Sequence, residues 1–209
     1  MNESPPDNLA DIKLTLEIVP AGKLVYRIYF RKFDHETAFY FGKTASNRFD
    51  DHRQEVGVCY AAFTLEGAFV ETMLRGVQDH AINDATPEFL YSLPHAELDA
   101  RSIAAVKLVG PLRLVKLYGD GLLKNRVDAS IASCPHAISR LWATAFMDHP
   151  DKPDGLIYAC NHNNSELAVA LFDRATAKIT TPVNTKAPLS ASDKVWELLD
   201  LYTVAITLD

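Results

Sequence analysis

Residues 56–76, VGVCYAAFTLEGAFVETMLRG, decide the fold class. The first eight of them carry no charge and no 3,4 periodicity, so Val56 to Phe63 reads as a strand buried on both faces. Thr64 then offers a side-chain oxygen to cap a helix. Along that helix Leu65, Ala68, Phe69, Thr72 and Met73 recur at 3,4 spacing, and Gly76 can end it in a left-handed conformation. Glu71 falls mid-helix beside the apolar stripe. A buried strand running directly into a helix brings Tyr60 and Glu71 towards one end of the same unit.

Upstream, Lys23 to Arg31 (KLVYRIYFR) alternates: Leu24, Tyr26, Ile28 and Phe30 take one side, Lys23, Arg27 and Arg31 the other. This is a half-buried strand from which Arg27 projects opposite Tyr26. Between the two strands, residues 32–55 form a long polar loop with Gly42 and Arg48, and long structured loops tend to carry function. Downstream, Ala104 to Leu117 reads as one or two strands broken at Gly110-Pro111. Pro135 opens a helix with Ile138, Leu141, Trp142, Ala145 and Phe146 inward, ending near His149-Pro150. Gly155 to Cys160 and Leu167 to Phe172 are strands joined by a polar loop. Ser190 or Ser192 caps a last helix through Leu199, and Tyr202 to Leu208 is a closing strand.

Strands here do not alternate strictly with helices. The expected class is therefore α+β, with a mixed, mainly antiparallel sheet core and flanking helices. One domain is expected over residues 13–209, behind a polar tail at 1–12. The chain has 209 residues and a formal charge of −6, with 48% hydrophobic residues, the mixture of an ordinary globular core. An acidic chain lacks the dense basic surface that sequence-blind nucleic-acid binding requires. No apolar run is long enough to span a bilayer and the N-terminus is unlike a signal peptide, so a cytoplasmic protein without membrane association is expected. Cys59, Cys134 and Cys160 are too few and too scattered for a disulfide scaffold or a CxxC metal knuckle, and no metal is expected. Neither GxGxxG nor GxxxxGK[ST] occurs, which argues against a Rossmann or Walker-type nucleotide site.

Taken singly, Arg27 reads as a snorkelling strand residue and Glu71 as the i,i+4 partner of Arg75. Cys160 and His162 could share one side of a strand as a Cys–His pair, but nothing supplies the third, orienting group. His149, Asp151 and Asp154 read as a solvated turn rather than a cation site.

The combination points further. YRIY at 26–29, NRFD at 47–50, GVCYAAFTLEGAFVETML at 57–74, DGLIYAC at 154–160 and ALFDR at 170–174 resemble the RES domain, a bacterial family named for its Arg, Glu and Ser and commonly the toxin of a toxin–antitoxin pair. The resemblance covers about residues 22–175. It implies a compact α+β fold similar to ADP-ribosyltransferase toxins, NAD+ as substrate, cleavage of the nicotinamide–ribose bond by hydrolysis or phosphorolysis, and a cognate antitoxin as partner. Residue by residue, it implies that Arg27 and Arg48 hold the dinucleotide phosphates, that Tyr60 is the active-site tyrosine and that Glu71 is the glutamate. The family's serine is expected after the DGLIY strand, where this chain has Cys160, a weaker hydrogen-bonding group. A protein ADP-ribosyltransferase and a non-catalytic binding module are the rival readings. Residues 176–209 are long enough to add a helix and a strand or to form an interface, so homo-oligomerisation stays open.

Overall fold

The chain enters the sheet with β1 (Leu16–Val19) and β2 (Leu24–Phe30), then crosses the long loop to β3 (Val58–Ala62) and α1 (Leu65–Met73). In the computed structural model, residues 4–33, 38–75, 89, 91–180, 183–184 and 187–208 are described. The strand-to-helix unit forms where its residues demand. Thr64 is extended (φ −131°, ψ 159°) and its hydroxyl oxygen accepts the Gly67 N–H, while Ala68, Phe69, Val70 and Met73 are buried. The Gly76 terminator lies outside the described residues.

Next come β4 (Tyr91–Pro94), α2 (His95–Asp99), β5 (Arg101–Lys107), β6 (Leu112–Leu117), α3 (Asp120–Lys124) and α4 (His136–Asp148). The break at Gly110-Pro111 separates β5 from β6, as expected. Helix α4 starts after Pro135 and buries Trp142 on Phe146, with ring centroids 5.8 Å apart. Leu141, assigned inward from its spacing, is instead 39% exposed. β7 (Gly155–Ala159), β8 (Leu167–Phe172), β9 (Val183–Asn184), α5 (Asp193–Leu201) and β10 (Val204–Thr207) complete the chain.

Among the described residues, eight strands form one sheet in the order β1-β6-β7-β8-β3-β2-β5-β9, antiparallel except for β6 beside β7. The fold is α+β with a mixed, mainly antiparallel sheet. Residues 108–111 join β5 to β6, which stand five places apart in that order. Such a link spans at most about 18 Å, whereas five flat interstrand spacings need about 24 Å, so the sheet must curl. Curling encloses one apolar layer around Val25, Val106, Leu114 and Leu171. The opposite face packs a larger core with residues of α1, α4 and α5, among them Phe69, Trp142, Phe146 and Leu198.

Two expectations are corrected. Residues 1–12 are not a loose tail throughout. Leu9 is 3% exposed, and the Leu9 and Ile12 carbonyls lie 3.2 and 3.1 Å from His149 Nε2. The segment after α5 is a strand but does not close the main sheet: β10 pairs in parallel with β4 as a separate two-stranded sheet. Among the described residues, no helix is long and apolar enough to cross a membrane.

Candidate active site

Strands β2 and β5 pair over seven residues and β3 and β8 over five, but β2 and β3 share a single ladder pair, Tyr26↔Ala62. Beyond that pair the sheet opens. A cleft of about 890 Å3 lies at the split, lined by Arg27 and Tyr60 from the two strands, Glu71 from α1, His136 at the start of α4, and Tyr158 and Asn161 at the end of β7. Arg27, Arg48, Tyr60 and Glu71, dispersed over 45 positions of sequence, thus line one cavity.

Arg48 is carried by a loop that folds around one carboxylate. Asp50 is 1% exposed, and its Oδ2 accepts the Thr44 hydroxyl at 2.7 Å and the Ser46 and Asn47 backbone N–H groups at 3.1 and 2.8 Å. Its Oδ1 accepts the Tyr60 hydroxyl at 2.9 Å, and the Tyr60 oxygen in turn accepts the Phe49 N–H at 2.8 Å. Burial, and then the Asp50 charge, push the Tyr60 phenol well above its ordinary range, so it stays protonated. The Tyr60 hydroxyl is therefore a pin for the Arg48 loop, and only its ring is offered to the cleft.

The neighbouring Asp51, fully buried, holds the rest of the loop. Burial alone would raise its pKa. The Val56 N–H, the Thr144 hydroxyl and the N–H groups of Arg53 and Glu55 outweigh that and bring it from 3.8 down to about 2. A carboxyl whose folded pKa is depressed stabilises the fold above its unfolded pKa and loses that contribution as pH falls. Between about pH 4 and pH 2 the wild type should lose stability that Asp51→Asn does not. At pH 7 the variant should be about 1–3 kcal/mol less stable in urea unfolding. Equal pH slopes for the two proteins would refute this role.

Glu71 accepts the Asn161 N–H on Oε1 at 3.2 Å. The expected i,i+4 ion pair with Arg75 is not formed. Cys160, expected as a catalytic residue, does not line the cleft: it is 1% exposed, with Sγ 4.0 Å from the Gly67 carbonyl under α1. Burial, then the Glu71 charge, drive its thiol well up, so the thiolate nucleophile is disfavoured. His162 is exposed at the cleft while Cys160 is enclosed, which removes the Cys–His pair. The His149, Asp151 and Asp154 groups are likewise structural. Asp151 accepts the Leu14 N–H at 2.9 Å, and Asp154 accepts the Arg113 N–H and the Lys178 ammonium, both at 2.7 Å. No metal-binding cluster occurs among the described residues.

Charge is concentrated in the cleft. Among the described residues its lining includes Arg27, Arg48, Arg75 and Arg101 against the one carboxylate of Glu71. Arg101 is ion-paired with Glu97. Among the described residues, Arg27, Arg48 and Arg75 have no carboxylate within ion-pairing distance. Arg27 donates one Nη to Cys59 Sγ at 2.7 Å, and its buried Nε has no partner. Arg48 donates one Nη to the Cys134 carbonyl. Burial weighs against the Arg48 charge, with Arg75 adding to that effect, and Glu71 partly offsets it. His136 has its pKa lowered from 6.5 by burial and by the surrounding arginines, so it adds no charge at neutral pH.

Asp50, Arg75, Tyr158 and Asn161 were not singled out by sequence reasoning. Asp50 and Tyr158 stood inside the NRFD and DGLIYAC motifs, and Arg75 one turn after Glu71, so each had a local signal. Asn161 acts through its backbone and had none.

The RES domain family model matches residues 24–192. A curated relative, "Probable toxin y4kH" of Sinorhizobium fredii (strain NBRC 101917 / NGR234), is 37% identical over 113 residues, 53% of this chain and 87% of that protein. Among solved structures, a chain from the crystal structure of the M. tuberculosis MbcT–MbcA toxin–antitoxin complex superposes with a TM-score of 0.56 at 12% identity, over 87% of this chain and 91% of that one.

Proposed function

Starting from a chain that belongs to the RES domain family, we propose that it is an enzyme that cleaves the nicotinamide–ribose bond of NAD+, with water or phosphate as acceptor, and that it is the toxin held in check by a cognate antitoxin. The observation that carries the chemistry is the set of three arginines that, among the described residues, have no ion-pair partner and share with the Glu71 carboxylate a single cleft. Its volume falls within the roughly 300–1,000 Å3 of small-molecule sites. Clustered guanidinium groups in an acidic protein suit an anionic ligand, and a pyrophosphate is one they grip by charge-assisted, bidentate hydrogen bonds.

In the reaction the C1′–N bond breaks, and its electron pair leaves with nicotinamide, which departs neutral. The ribose becomes oxocarbenium-like, and the Glu71 carboxylate stabilises that positive charge, as carboxylates do in glycoside hydrolysis. Water or phosphate then adds at C1′; addition of water releases a proton. Nicotinamide is a good leaving group, so no strong general acid is required. Incubating the protein with NAD+, with and without phosphate, should release free nicotinamide and deplete cellular NAD+ on expression. No release above a Glu71→Ala control would overturn the reading. The relative's name and the toxin–antitoxin neighbour support the toxin role.

The aromatic rim supplies a place for the adenine. Phe30 and Phe33, 41% and 42% exposed, line the cleft, and the Arg101 guanidinium lies 4.2 Å over the Phe30 ring. Phe30 stands three residues, about 10 Å, along β2 from Arg27. Base stacking contributes about 1–3 kcal/mol. Replacing both phenylalanines by alanine should therefore raise KM for NAD+ about tenfold and leave KM for nicotinamide mononucleotide, which lacks the adenylate, unchanged. Parallel increases for both substrates would assign the rim to the fold instead.

A further inference from the structure

We propose that Tyr202, in the C-terminal segment beyond the family match at 24–192, is a positioning residue that fixes the loop between β7 and β8 against α1 and thereby sets the Glu71 carboxylate. The inference rests on the reading of Glu71 as the catalytic carboxylate.

The connections form one continuous hydrogen-bonded path. The Tyr202 hydroxyl donates to Glu66 Oε1 at 2.7 Å and accepts from Asn163 Nδ2 at 2.7 Å, and the same Nδ2 lies 3.2 Å from Glu66 Oε1. Asn163 organises the loop around itself: its side-chain oxygen accepts the Ser165 N–H at 3.1 Å and its carbonyl accepts the Glu166 N–H at 3.0 Å. Glu166 closes the loop, accepting the Cys160 N–H on its carbonyl at 2.9 Å and the hydroxyl of Thr64, the α1 cap, on its side chain. Between these anchors Asn161 and His162 line the cleft, and the Asn161 N–H holds Glu71. Three attachments to α1, at Thr64, Glu66 and Glu71, thus hold one short loop.

The packing leaves little slack. A Cβ built on Gly67 would come within 3.1 Å of Glu166 Oε2 and 3.1 Å of Ala62 Cβ, so the loop sits flush on the first turn of the helix. Tyr202 is itself rigidly presented. Its N–H closes on the Leu198 carbonyl at 3.0 Å, and the next residue, Thr203, reverses the chain at φ 55°, a conformation uncommon for a β-branched residue. From there β10 pairs with β4 over Val204↔Tyr91 to Thr207↔Pro94. Helix α5 before it and the small sheet after it fix the Tyr202 backbone, its ring packs partly buried against the larger core, and its hydroxyl carries that position to the loop.

Tyr202→Phe keeps the ring and removes only the hydroxyl. Expected is a fall of about tenfold in kcat for nicotinamide release with KM little changed, since a small misplacement of a catalytic group costs rate more than binding. Glu66→Ala should give the same fall, and the double variant no further loss, because both cut one path. Leu201→Ala, on the 62% exposed neighbour, should leave kcat unaltered. Amide hydrogen exchange over residues 160–166 reads the same path without substrate and should quicken in Tyr202→Phe. Wild-type kcat or unchanged exchange in Tyr202→Phe would overturn the proposal. If the wild type released no nicotinamide, the function would fall while exchange still judged the strut.

Discussion

Glu71→Gln should lower kcat for nicotinamide release by about 10²–10³-fold, the loss typical of removing one preorganised electrostatic stabiliser. Glutamine keeps the shape and an oxygen for the Asn161 N–H, so the change isolates charge. In the cleft that charge shares the lining with Arg48 and Arg75 without an ion pair to Arg75, and in the proposed reaction it is the group that meets the ribose cation. KM should change little, because the charge on ribose develops in the transition state and the arginines remain. Glu71→Gln turning over NAD+ at the wild-type rate would remove the carboxylate from the mechanism.

Arg48→Ala should raise KM for NAD+ by about 10–100-fold, the equivalent of losing hydrogen bonds from a charged group at about 1.5–3 kcal/mol. Arg48 commits one Nη to the Cys134 carbonyl and, among the described residues, has no ion-pair partner, which leaves other donors of its five N–H groups to meet an anion. The effect should shrink as salt rises, because the interaction is in part screened. A suitable control is Lys194, whose side chain is 63% exposed. Lys178 is unsuitable, because its ammonium is bonded to the buried Asp154 and its loss would confound stability with binding. Equal effects of Arg48→Ala and Lys194→Ala on KM would refute the basic cleft. Asp50→Ala should resemble Arg48→Ala, since Asp50 shapes the loop that carries the arginine.

Much of the site was legible because its residues sit in motifs with local causes. Thr64 caps α1 as its hydroxyl and position require, and Glu71 emerges beside the apolar stripe because helical spacing puts it there. Arg27 alternates out of β2 for the same kind of reason. Cys160 was placed at the site because the resemblance puts the family's serine after the DGLIY strand, and a motif position does not state how thickly that face is covered. Here α1 lies over that position, and the station expected for a hydroxyl is enclosed. Tyr60 was read as the active-site tyrosine, with no part assigned to its hydroxyl. Its hydroxyl belongs to Asp50 and Phe49, ten residues or so earlier, and that pairing exists only once the loop has folded back on the strand.

Sequence by itself determined β2, β3, α1, α4, β7, β8 and the family, because helix caps, apolar periods and motif spacing are properties of neighbours along the chain; the short β1, β4, α2, α3 and β9 carry too few periods to be read that way. Tertiary structure decided the rest. Strand order, the curl imposed by the short β5–β6 link, and the parting of β2 from β3 after Tyr26↔Ala62 all depend on contacts between residues far apart in the chain. The same long-range pairing set the formal charge of −6 aside at one place. It gathered Arg27, Arg48 and Arg75 around Glu71 in one cleft, where among the described residues none of the three arginines has an ion-pair partner.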